Sequence, residues 1–203
     1  MELLVVATDV GVSVFNPSNK QELLKFSASA SAVCIVDDEL VVSHTGKPLL
    51  FCYKLHRSQQ APRKIVMPGR VTSLCPSPIG KYLFGGIGGS LYSWNVKSGR
   101  CLQSVQTHYQ DVSIIRCNQD FLTTGSHDGQ IGVFATRMML DVHQTVKPLV
   151  VINAHGLPIT DIAISSDLIF SSSMDFTVKV FCRIHTHTFW LSAGNWHLLD
   201  LES

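Results

Sequence analysis

Three residues of the stretch from Thr107 to Phe134 return together further along the chain, at one fixed interval. The first stretch reads THYQDVSIIRCNQDFLTTGSHDGQIGVF, and Ala154 to Phe181 reads AHGLPITDIAISSDLIFSSSMDFTVKVF. His155 follows His108, Asp175 follows Asp128 and Phe181 follows Phe134, each by 47 residues. In the first stretch, apolar, β-rich runs cover Val112 to Cys117, Phe121 to Thr124 and Gln130 to Phe134. Turn residues at Asn118 to Asp120 and Gly125 to Gly129 divide them. Short strands split by Gly/Asp turns predict a small antiparallel meander.

A His, a turn Asp and a strand aromatic repeating together resemble the WD-repeat blade, a four-stranded unit with a period of about 40–45 residues. In that family the His before the first strand, a Ser or Thr on the second and the Asp of the next turn form a hydrogen-bond chain that ends on a Trp ring. The resemblance implies His108, Thr124 and Asp128 in one blade, with Phe134 at the Trp position. In the next it implies His155, Ser171 and Asp175, with Phe181. Phe fills space but has no indole N–H, so the chain of bonds should end one step early. Buried polar groups need partners, which is reason enough for these residue types to recur. The rival reading is a hydrolase triad of Ser/Thr, His and Asp. Recurrence in successive units argues instead for structure, and no Gly-x-Ser-x-Gly elbow supports catalysis. The chain is read as a non-enzyme without cofactor or metal.

Hydrophobic residues make up 45% of the chain and charged residues 15%, which suits strands buried on both faces. A length of 203 residues suggests one or two domains. The net charge of +1 gives no strong field toward nucleic acid or membrane. The six cysteines (34, 52, 75, 101, 117, 182) show no Cys-x-x-Cys spacing and fall mostly in or beside predicted strands. Reduced, buried thiols of a nuclear or cytosolic protein are expected over disulfides. The N-terminal MELLVVATD lacks a basic segment and is interrupted by Asp9, so no signal peptide is expected. No apolar run approaches the ~20 residues of a membrane span.

In order, the chain divides into an all-β series of blades at about 1–27, 30–68, 70–106, 108–153 and 155–182, followed by a divergent tail at 183–203. The first blade, with Asp9 six residues before Phe15, starts one strand late. The second lacks the turn Asp; His44 there reads as a turn residue, and residues 56–64 as an exposed basic loop. The third carries Trp94 at the aromatic position. Its Gly85, Gly86, Gly88 and Gly89 look like a phosphate loop, but no Lys-Ser/Thr follows and the next segment reads as a strand. Residues 136–147 read as a polar surface loop or short helical turn. The tail shows no clear fourth strand for the last blade. Its His185, His187 and His197, with Cys182, match no standard zinc spacing. The last ordered strand is therefore expected near Thr177 to Cys182, in an open arc of about four and a half propeller blades.

More narrowly, the chain resembles the family of the WD-repeat subunit of the Rix-one complex. The resemblance rests on MPGRVTSLCPSPIGKYLFGG (67–86), SLYSWNVKSG (90–99), THYQDVS (107–113), LPITDIAI (157–164) and SSSMDFTVKVF (171–181). That family is longer, with about seven blades and a C-terminal helical segment, so the chain looks like a truncated member. The resemblance implies a scaffold for rRNA processing and large-subunit maturation. It implies partners in a Rix-one-type complex and pre-ribosomes, and a location in the nucleus with some in the cytoplasm. Other readings are a generic WD-repeat adaptor, as in ubiquitin ligation or cilia-related signalling, and direct RNA binding. The near-zero charge and the lack of an aromatic–basic motif disfavour RNA. Function on a rigid scaffold tends to sit on exposed loops, so Arg70, Tyr109, Gln110 and Leu157 are candidate partner contacts.

Overall fold

A computed structural model describes residues 3–8, 10–27, 29–55, 61–183 and 190–197. Asp9, residues 56–60 of the basic connection, and His185 and His187 lie outside them. Five antiparallel sheets follow one another. The first holds β1 (Leu4–Ala7), β2 (Val12–Asn16) and β3 (Gln21–Phe26). The second holds β4 (Ala30–Val36), β5 (Glu39–His44), β6 (Leu49–Lys54) and β7 (Arg63–Val66). The third holds β8 (Val71–Pro76), β9 (Tyr82–Ile87), β10 (Ser90–Asn95) and β11 (Arg100–Gln106). The fourth holds β12 (Val112–Cys117), β13 (Phe121–Ser126), β14 (Gln130–Ala135) and β15 (Val150–Asn153). The fifth holds β16 (Ile159–Ile164), β17 (Leu168–Ser173), β18 (Thr177–Arg183) and β19 (Trp190–His197). Strands pair with their chain neighbours throughout, so each sheet is a meander and a propeller blade. Among the described residues, the first blade has three strands, without the inner one that opens the others.

The blades stack face to face as an open arc. Along β8, Leu74 packs toward the second blade and Cys75 toward the fourth. Period-2 side chains thus bury both faces, which is why these strands read as near-continuous apolar runs. The inner strands share a further device. Each bulges between its first and third residues, at Ala30/Ala32, Val71/Ser73, Val112/Ile114 and Ile159/Asp161. The residue left over is Ser31, Thr72, Ser113 or Thr160. Ser31 donates to the Val71 carbonyl at 2.9 Å, Thr72 to Val112 at 2.6 Å and Ser113 to Ile159 at 2.7 Å. A bulge frees one side chain from the ladder, and here it ties each blade to the next. In the fifth blade the Thr160 hydroxyl meets Ser172 at 2.9 Å instead.

One expectation needs correction. The fifth blade does have a fourth strand: β19 pairs with β18 from Thr177↔His197 to Arg183↔Trp190. The arc therefore holds four four-stranded blades after the three-stranded first one, within the four to five expected. An outer strand is held by its backbone ladder to one neighbour, so it forms without the alternation that marks an interior strand. The short helical turn expected as one reading of 136–147 is present, and it packs inward. This 3-10 turn, Met138–Leu140, buries Met139 completely, and the Ser93 hydroxyl of the third blade donates to the Met139 carbonyl at 2.6 Å. Gln103 reaches the Asp141 carbonyl as well. The insertion caps the seam between the third and fourth blades.

Candidate functional site

Each repeated His sits just ahead of an inner strand and is pulled inward beneath the turn that carries the Asp. In the fifth blade, His155 Nε2 lies 2.8 Å from Ser171 Oγ on β17, and Nδ1 lies 2.9 Å from Asp175 Oδ2 in the β17–β18 turn. The consistent assignment has Ser171 donating to Nε2 and Nδ1–H donating to Asp175. Thr177 donates to Asp175 Oδ1 at 2.6 Å, and its oxygen also lies 3.1 Å from Nδ1. The backbone N–H groups of Gly156 and Thr177 donate to the same carboxylate. Burial alone would raise the Asp175 pKa. The bonds from Thr177 and His155 outweigh it and hold this carboxyl well below the usual range.

In the fourth blade, His108 Nε2 lies 2.8 Å from Thr124 Oγ1. Asp128 accepts from the N–H of Tyr109 at 3.0 Å and of Gln130 at 2.9 Å. Its carboxylate stands 3.4 Å from His108 Nδ1, and that buried nitrogen has no hydrogen-bond partner. The position equivalent to Thr177 is Gln130, whose side chain turns away to Asn153 at 2.8 Å. Burial lowers the pKa of both histidines, against the opposing pull of Asp128 on one and Asp175 on the other. In both, the shift favours the neutral ring.

Phe134 and Phe181 are buried in the inter-blade cores and extend no bond. The third blade fills the same place without a polar set: Trp94 stacks on Tyr92, with centroids 5.4 Å apart and planes within 6°. Gly85 leaves room for that indole, whose nearest ring carbon lies 2.8 Å from where a Cβ would stand. In the second blade His44 acts in a turn, its Nδ1 accepting from the Gly46 N–H at 3.0 Å.

Ser171, His155 and Asp175 do have the connectivity of a hydrolase triad. Ser171 is only 1% exposed and the His155 ring has no exposed surface, so no substrate carbonyl reaches the hydroxyl. The bonds tie the His ahead of an inner strand to the second strand and to the turn beyond it.

The loops ahead of the inner strands present the candidate contact residues. Arg70, Tyr109, Gln110 and Leu157 are all exposed, Tyr109 by 91%. They flank the starts of β8, β12 and β16, on one end of the arc. Ser126 donates to the Gln110 carbonyl and Ser173 to the Leu157 carbonyl, so both loops are held from below by equivalent serines. These serines escaped the sequence reading, although they recur at the 47-residue interval as Ser-x-Asp. Met174 and Phe176, 57% and 70% exposed, add apolar surface at the same end and were also missed. The Met174 N–H donates to the Pro158 carbonyl beside Leu157. Among the described residues no group of three or more His, Cys, Asp or Glu could hold a metal, and no helix is long and apolar enough to cross a membrane.

The WD domain, G-beta repeat family matches residues 99–134 and 146–182. WD repeat-containing protein 18 of Danio rerio is 31% identical over 180 residues, which is 83% of this chain and 42% of that protein. Pre-rRNA-processing protein IPI3 of Mycosarcoma maydis is 29% identical over 138 residues, 58% of this chain and 24% of that protein. The chain thus spans less than half the length of the curated relatives it matches. The computationally designed Ika8 protein superposes with a TM-score of 0.72 at 17% identity, over 96% of this chain and 57% of its own, a likeness of fold alone.

Proposed function

From its place among the WD-repeat proteins, we propose that this chain is a non-catalytic scaffold in pre-rRNA processing and large ribosomal subunit maturation. The observation that carries this is the similarity to WD repeat-containing protein 18 over 180 residues, joined by relatives named for pre-rRNA processing. The reading includes nuclear location and association with a Rix-one-type complex and large-subunit precursor particles. The docking face is the end of the arc that carries Arg70, Tyr109, Gln110 and Leu157. Tyr109, Gln110 and Leu157 stand on loops fixed by Asp128, Ser126 and Ser173, so they are presented at little cost in conformational entropy. Their mixture of an aromatic, an Arg and an aliphatic suits a protein surface.

Sucrose-gradient sedimentation of nuclear extract tests both levels. The chain should travel with large-subunit precursors, and a variant with alanine at all four positions should leave that fraction while keeping its circular dichroism. Wild-type sedimentation by the quadruple variant sinks the face. Absence of the wild-type chain from those fractions sinks the function.

A further inference from the structure

Cys75 ends its apolar run on β8 and faces the fourth blade, while Cys117 closes β12 and faces the third. Their sulfurs are 3.3 Å apart across the seam. Both thiols also lie against one acceptor, the Pro76 carbonyl, at 3.7 Å from Cys75 and 3.1 Å from Cys117. Arg116, adjacent in sequence and paired with Asp161 at 2.9 Å, adds a positive charge beside the pair. Cys117 is partly exposed at the end of its strand, whereas Cys75 is buried among the apolar side chains of that seam.

We propose that Cys75 and Cys117 are an oxidisable dithiol, closed by a peroxide into a reversible disulfide that staples the third and fourth blades. The contact needs little closure, since a disulfide bond is about 2.05 Å long. The two sulfurs have different roles. The Cys117 S–H lies between the Pro76 carbonyl at 3.1 Å and the Cys75 sulfur at 3.3 Å, and this holds its proton in place, lowering the Cys75 pKa while raising that of Cys117. Cys75 is therefore the thiolate that attacks first. Its sulfur displaces hydroxide from the peroxide: an S–O bond forms, the O–O bond breaks, and Cys75 becomes a sulfenic acid. Cys117 then attacks that sulfur. The S–S bond forms, the S–O bond breaks, and the Cys117 proton leaves with the hydroxide as water. In sum, two thiols and one hydrogen peroxide give one disulfide and two waters, and an external dithiol reverses the change.

The other thiols provide internal controls. Burial pushes Cys34 up strongly and Cys52 up to about 11, so neither should react at peroxide levels that oxidise the pair. The experiment treats the full chain with hydrogen peroxide, blocks free thiols, digests with trypsin without reductant and reads the peptides by mass spectrometry. Residues 71–81 and 117–137 should appear linked, lighter by two hydrogens than their sum and separated by dithiothreitol. Their absence at peroxide levels that already oxidise the exposed Cys101 overturns the proposal. Two variants fix the order: Cys117→Ser should leave Cys75 as a sulfenic acid trapped by dimedone, and Cys75→Ser should leave Cys117 untrapped. The reverse pattern overturns the assignment of Cys75 as the attacking thiol.

Discussion

The fourth and fifth blades carry the same motif at the same spacing and finish it differently. In the fifth, one hydroxyl, Thr177, bridges the carboxylate and the imidazole, and all four members of the set are bonded. In the fourth, Gln130 replaces that hydroxyl, and His108 Nδ1 faces Asp128 at 3.4 Å with no bond. The turns reverse the contrast. Gly129 takes the left-handed conformation at φ 78°, with its Cα tight against the backbone of His155 in the next blade. Its counterpart Phe176 takes φ 62° with an exposed ring. The fourth blade is thus well made in its turn and incomplete in its polar set, and the fifth is the opposite. Motif identity fixes which groups meet, and a residue outside the motif sets how well they bond.

The largest test of that contrast is Gly129→Ala. The new Cβ would stand 2.2 Å from the His155 carbonyl oxygen, so the fourth and fifth blades must part. A loss of about 2–4 kcal/mol is expected from left-handed strain and the clash together. Phe176→Gly should instead stabilise by about 1 kcal/mol by removing the same strain where little packs on it. Denaturant midpoints that move the same way in both variants would break the comparison.

Asp175→Ala should cost about 3 kcal/mol, because it orphans His155 and Thr177 in a buried site, and Asp128→Ala about 1–2 kcal/mol. Equal losses by urea unfolding would show that the His108–Asp128 contact is worth as much as a full bond. A gain-of-bond variant sharpens this: Gln130→Thr should add about 0.5–1 kcal/mol, and Thr177→Val should remove about 1 kcal/mol. No gain from Gln130→Thr would mean that the carboxylate and imidazole are spaced too widely for one hydroxyl to bridge.

The smallest expected effect is on pH. Both histidines have folded pKa values below the ordinary 6.5, so the unfolded chain binds more protons as pH falls. Their contribution to stability is complete above about pH 6.5 and is lost as pH drops through the window below it. Melting midpoints should therefore fall between about pH 7.5 and 5.5, and a flat profile there would show that the two rings titrate alike in the folded and the unfolded chain. The depressed Asp175 adds a second loss only at much lower pH, as that carboxylate is finally protonated.

Much of the fold was legible because the motif residues make the same buried hydrogen bonds in the fourth and fifth blades. The spacing of His108 and His155, Asp128 and Asp175, and Phe134 and Phe181 located two blades, and the turn residues located the others. The three strands of the first blade among the described residues were legible too, from the runs on either side of the Asp9 and Asn16 turns. The strand at Trp190–His197 was not, because backbone pairing alone suffices at an outer edge. Thr177 was passed over because a hydroxyl two residues after an Asp is commonplace in turns, and only the approach of His155 gives it a second partner.

The sequence by itself determined the blade, its repetition and the buried polar sets, since these follow from local periodicity, turn chemistry and the need to pair buried polar groups. Tertiary structure alone decided which surfaces meet between blades. Cys75 and Cys117 are 42 residues apart with no motif to link them, and they touch only because successive inner strands stack. The insertion around Met139 reads as polar, and Met139 is buried because the neighbouring blade offers it Ser93 and an apolar seam. Packing between units depends on the joint shape of two sheets, which one stretch of sequence does not carry.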